Sequence, residues 1–266
     1  MLAKRHVISI RPLVPALLGL LLGAAASADP LSVDSASFTY SQDFNSLPST
    51  GLTATWANDA TLNAWSYFTG SGASTTAMGV SNGAPTSGGL SSLGATGSTD
   101  RSLGVMTSTA NGNAVLVLAL TNNSGSQLSG FTVGFDGKQW STAVGGNTDQ
   151  ITFQYAVASD YASVATWNQP GGNFNFTTPV TAATGRTSGM GNDAGLVAGL
   201  GGTVNTSWAA GQTLYLRWAY QDDSFLDAQM AVDNLNISVS AVPEPQEWAL
   251  LAAGLTTLGA FLRRRR

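Results

Sequence analysis

With 266 residues, no cysteine and a single histidine, His6, the chain carries no disulfide framework, no thiolate nucleophile and no Cys-based zinc site. Between Asp29 and Ala241 four basic residues stand against thirteen aspartates, with no glutamate and no histidine. This inventory excludes His-dependent triads and His-ligated metals in that region, and so acidic a surface repels phosphate backbones, which excludes nucleic acid as a partner. The whole-chain charge of −4 hides the imbalance, because seven of the eleven basic residues sit at the two ends.

Residues 1–28 read as a secretory signal peptide. Lys4, Arg5 and Arg11 form a positive n-region, Val14 to Gly23 a short apolar run, and Ala26-Ser27-Ala28 a small-x-small cleavage site, with Asp29 as the mature start. The apolar run is too short to cross about 30 Å of hydrocarbon at about 1.5 Å per residue.

Residues 29–241 are expected to form one extracellular domain, since about 200–250 residues is an ordinary size for a single β-sandwich. Helical periodicity is missing and strand-like alternation replaces it. Ser37–Ser41, Gly130–Phe135, Ile151–Val157, Thr213–Tyr220 and Ala231–Val239 alternate, and Ile151, Phe153, Tyr155 and Val157 share one face. Ala114–Leu120 is continuously apolar and reads as a strand buried on both faces. Turn chemistry separates the runs at Asn122-Asn123-Ser124-Gly125, Asp136-Gly137, Gly145-Gly146-Asn147 and Gly171-Gly172-Asn173. The Gly/Ser/Thr stretch 70–99 reads as extended loops with room for short strands. Many short strands with such punctuation predict an all-β sandwich.

Within this domain the densest polar cluster is Gln221 to Asp227, which contains Asp222, Asp223 and Asp227 and is followed by Asp233. It falls between two strands and is therefore a loop. Hard cations such as calcium take six to eight oxygen ligands from loops of this kind, which makes these aspartates candidate calcium ligands. Arg217 is the expected partner of a loop aspartate, and Asp100-Arg101 is expected to pair and pin a loop. Tryptophans 56, 65, 140, 167, 208 and 218 are expected mainly in the core. Trp140, just after Asp136-Gly137-Lys138, is the candidate for an exposed sugar-stacking ring. No glutamate, histidine or tyrosine motif marks a catalytic pair, so the domain is read as non-catalytic.

The last segment, residues 242–266, has three ordered parts. Pro243-Glu244-Pro245 stops the preceding strand, Ala249 to Leu262 is apolar, and Arg263, Arg264, Arg265 and Arg266 close the chain. Trp248 suits a membrane interface and the arginines suit the cytoplasmic side, so the segment reads as a transmembrane helix with the domain exported. This trio resembles the PEP-CTERM sorting domain of Gram-negative bacteria. The resemblance implies processing by an exosortase, a membrane cysteine protease, at or near Pro243-Glu244-Pro245, and a setting of exopolysaccharide production.

Several domain segments also resemble an ectodomain carried by PEP-CTERM proteins: Gln42 to Pro48, Gly97 to Gly104, Leu120 to Gly125, and Leu216-Arg217-Trp218 through Ala231 to Leu235. That resemblance implies a jelly-roll-like sandwich whose first and last strands lie close together. By analogy with jelly-roll carbohydrate-binding modules, Asp43 would face Asp233 across a structural calcium. The expected protein is thus handled by the secretion machinery and an exosortase. It passes through an inner-membrane-anchored intermediate to the cell surface or extracellular space, where it serves a structural or adhesive role in the exopolysaccharide of a biofilm. A calcium-dependent carbohydrate-binding module and a polysaccharide-active enzyme are the alternatives.

Overall fold

The computed structural model describes residues 30–84, 88–223 and 226–241. The predicted signal peptide, the Pro243-Glu244-Pro245 motif, Trp248, the arginines 263–266 and the predicted transmembrane helix lie outside the described residues. Among those described, no helix is long and apolar enough to cross a membrane.

The alternating segments form strands. In chain order these are β1 (Leu31–Val33), β2 (Thr39–Gln42), β3 (Thr53–Thr55), β4 (Trp65–Thr69), β5 (Ala77–Ser81), β6 (Gly89–Leu93) and β7 (Ser102–Met106). They are followed by β8 (Ala114–Asn122), β9 (Leu128–Ser141), β10 (Gln150–Ala158), β11 (Phe176–Thr177), β12 (Leu196–Trp208), β13 (Thr213–Tyr220) and β14 (Gln229–Ala241). The helical content described is two single 3-10 turns, Tyr161–Ser163 and Gly172–Phe174. Asp160 caps the first by accepting the Ser163 N–H at 2.8 Å.

The strands form two sheets. The smaller runs β1-β8-β13-β10-β11, with β4 sharing the β8 edge with β1. The larger runs β12-β9-β14-β7-β6-β5-β3. In it β14 pairs with β9 along one side, and with β7 and then β2 along the other. The pairing of Thr39–Gln42 with 235–238 brings an early strand beside the last one.

The apolar faces of the two sheets meet in a core rich in aromatic rings. Trp218 of β13 stacks on Trp65 of β4, with centroids 5.4 Å apart, and meets Phe135 of the opposite sheet edge-on at 5.7 Å. Phe131 and Tyr155 make a second inter-sheet contact at 5.4 Å. Such edge and offset geometries are the favoured ones for aromatic quadrupoles. In β8 the expected two-sided burial is seen. Leu116, Leu118 and Leu120 enter the main core, while Val117 and Ala119 pack on the outer side with Tyr215, Trp167 and Phe68.

Asp136-Gly137 is not a turn. β9 runs straight through it, with Gly137 opposite Val232 on one side and Val197 on the other. The glycine is needed for close approach rather than for turning, because a Cβ at Gly137 would overlap the Phe176 ring. The stretch 70–99 supplies β5 and β6, which pair in parallel.

Candidate functional site

The antiparallel register of β10 and β13 sets Ile151 opposite Tyr220. Continued two residues beyond the ladder, it carries Asp149 toward Asp222 and Asp223. The chain then returns through Asp227 into β14. Asp149, Asp223 and Asp227 each offer one carboxylate oxygen to a common space, and these atoms lie within 4.8 Å of one another.

Asp149 and Asp227 are buried and Asp223 is exposed. Asp149 is held by its neighbours: one carboxylate oxygen accepts the Ala228 N–H, and its main-chain N–H donates to Thr178 Oγ1 at 2.9 Å. Asp227 is 2% exposed, and neither of its carboxylate oxygens has a hydrogen-bond partner. Burial pushes the Asp227 carboxyl up to about 7, with Asp149, Asp223 and Asp222 adding to the rise. The nearby Thr107 opposes it, although the Thr107 hydroxyl donates to the Gln221 carbonyl at 3.3 Å. Burial raises Asp149 as well, against the Ala228 N–H.

The base beside this cluster is Arg186, not the expected Arg217. Arg186 Nη2 donates to the main-chain carbonyl of Asp227 at 2.7 Å, and Nη1 reaches Ser141 Oγ at 3.2 Å and Met106 Sδ at 2.9 Å. Arg217 lies on the other face of its sheet, where Nε donates to Gln154 Oε1 at 2.5 Å and the guanidinium sits 3.8 Å over the Trp167 ring. Asp100-Arg101 is not a pinning pair either. Arg101 is buried and donates to Ser92 and Ser81, while Asp100 accepts from Asn192.

The remaining predicted ligands stand apart. Asp222 is half-buried beside the cluster; its N–H donates to Asn113 Oδ1 at 2.8 Å, and its Oδ1 is buried without a hydrogen-bond partner. Asp233 is buried on the outer face of the larger sheet, 2.6 Å from Lys138 Nζ. That ammonium supplies the counter-charge that the calcium analogy assigned to a cation. Asp43 is exposed and accepts both the N–H and the side-chain amide of Asn45, at 3.0 and 3.1 Å. It therefore serves its own turn and does not face Asp233.

Trp140 does not offer a sugar platform. It is 1% exposed, its Nε1 donates to Ser102 Oγ at 2.9 Å, and the segment from Thr187 to Gly195 covers it. Gly191 lies against the indole so closely that a Cβ would overlap the ring. Gly191→Ala should therefore lower stability by about 1–3 kcal/mol, the usual cost of overpacking, as read from the urea midpoint. Of the domain tryptophans only Trp167 reaches solvent in part, and Arg217 occupies one of its faces. An open groove of about 640 Å³ crosses β2, β9, β12 and β14, with Thr39, Tyr40, Ser41, Thr132, Asn236 and Ser238 among its polar lining.

Asp149 and Arg186 carry no local sequence signal. Only the β10–β13 register could have placed Asp149 beside residues more than seventy positions away. Chemically, the cluster is an anionic, all-oxygen recess without imidazole, thiol or amine nucleophile. No family model matches the chain, and neither does any curated protein.

Proposed function

We propose that this chain is an exported, non-catalytic surface protein whose domain, a jelly-roll-like sandwich, serves a structural or adhesive role in an exopolysaccharide matrix. The observation that carries the reading is the ordered tail: Pro243-Glu244-Pro245, the apolar run to Leu262, then four arginines. A secretory signal at the other end agrees with the orientation those arginines impose.

Surface chemistry supports the kind of partner. Among the described residues no lysine or arginine is exposed: Arg101 and Lys138 are buried, and Arg186 and Arg217 are half-buried. Asp34, Asp43, Asp100, Asp160, Asp193 and Asp223 are exposed. A surface of one sign repels polyanions, so the favoured matrix partner is a neutral polysaccharide, which the hydroxyl- and amide-lined groove suits.

The sorting reading is tested by replacing Pro243, Glu244 and Pro245 together with alanine. The full-length chain should then accumulate in the inner-membrane fraction and disappear from the matrix fraction. Processing and release at the unaltered level would falsify it.

A further inference from the structure

We propose that Asp149, Asp223 and Asp227 bind one calcium ion, which ties the connection between β13 and β14 to the start of β10. The site differs from the one the sequence pointed to: Asp149 enters it, and Asp43 and Asp233 do not. It also stands apart from the sorting reading, since it concerns the domain alone.

The argument does not rest on the clustering of acids, which is common on surfaces without an ion. It rests on Asp227. A carboxylate that is 2% exposed with no hydrogen bond to either oxygen is a costly thing to bury, because nothing replaces its lost hydration. Its two oxygens are enclosed beside a second buried carboxylate, Asp149, and an exposed one, Asp223. The adjacent guanidinium does not relieve it through a hydrogen bond, since Arg186 Nη2 goes to the Asp227 main-chain carbonyl and Nη1 to Ser141 and Met106. The neighbouring Asp222 Oδ1 is a further buried oxygen without a partner. A cation in the space that Asp149, Asp223 and Asp227 share would supply the counter-charge and ligand contacts that these carboxylates lack.

The donor set identifies the class of ion. Every candidate ligand is oxygen, and the domain holds no histidine or cysteine, so soft and borderline metals lack their preferred ligands. Calcium accepts six to eight oxygens in adaptable geometry, with carboxylates binding through one or both oxygens. Asp223 lies at the solvent edge, which lets water complete the shell. Magnesium requires near-ideal octahedral geometry and holds its own water, so three carboxylates drawn from two chain segments suit it less well.

The test uses the full chain, stripped with chelator and titrated with calcium chloride alone, read by calorimetry and thermal unfolding. One binding event per chain is expected, with a Tm rise on the order of 5–10 °C at a hundredfold excess over Kd. Asp227→Asn should abolish the calcium-dependent rise, yet melt no lower than the unaltered chain in calcium-free buffer, because it removes a buried acid from beside Asp149 and Asp223. Asp223→Asn, at an exposed position, should weaken calcium binding at least tenfold. The proposal is overturned if neither heat nor Tm responds to calcium at about 10 mM, which lies above the range of weak extracellular sites. It is equally overturned if Asp223→Asn and Asp227→Asn respond as the unaltered chain does, or if magnesium gives the same rise at the same concentration.

Discussion

Trp218→Ala should cost on the order of 4 kcal/mol, a large share of the stability of a domain of this kind. Trp218 is completely buried and joins the two sheets. It stacks on Trp65 and meets Phe135 and Phe153 edge-on, with centroids 5.4, 5.7 and 5.5 Å away. Truncation removes the transfer free energy of the indole and leaves a cavity walled by rings that cannot collapse into it. The loss is softened in one respect, since the Trp218 Nε1 has no hydrogen-bond partner and deleting it removes an unsatisfied donor. Trp218→Phe separates the two effects. It keeps a ring in contact and drops the N–H, so it should cost about 1–2 kcal/mol. Denaturant unfolding of both variants gives the comparison. A loss below about 1.5 kcal/mol for the alanine variant would show that the sheets are not joined through this residue.

The second large effect is expected at Lys138. Its ammonium lies 2.6 Å from Asp233 and donates to Asn192 Oδ1, also at 2.6 Å, with both members of the ion pair buried. Lys138→Met keeps the bulk but strands the Asp233 carboxylate, and should cost about 3–5 kcal/mol. The double variant Lys138→Met with Asp233→Leu should recover most of that loss, because replacing a whole buried pair with apolar groups is often neutral or stabilising. The cycle is read from denaturant midpoints. If the double variant is as unstable as the single one, the cost lies in the packing of residues 187–195 over this face and not in the orphaned charge.

Much of the architecture can be read locally. β13 coincides with the predicted Thr213–Tyr220, because its alternation is strong and Gly211-Gln212 precedes it. β8 reads as two-sided because its apolar run has no polar face to give. Asp136-Gly137 fails as a turn for a reason that is not local: the glycine makes room for Phe176, which arrives from about forty residues further along the chain. The misplacement of Trp140 follows directly, since a ring beyond a turn would sit at the surface, whereas one on a continuing strand is covered. β5 and β6 are poorly legible because their glycines and serines pair through the backbone and leave little side-chain signal. In the aspartate cluster, Asp223 and Asp227 are visible as a loop composition. Asp149 is supplied by register, which single-residue patterns do not encode.

The position of β14 bears on how the domain would carry load if it were held by the segment that follows Ala241. Tension applied to the chain beyond Ala241 would enter the domain through β14. The strand is laddered to β9 on one side and to β2 on the other near this end. Inter-strand hydrogen bonds lie perpendicular to antiparallel strands, so an axial pull strains many of them in shear together instead of opening them one at a time. β14 would therefore act as a mechanical clamp, and extraction from the C-terminal end would require two ladders to fail at once.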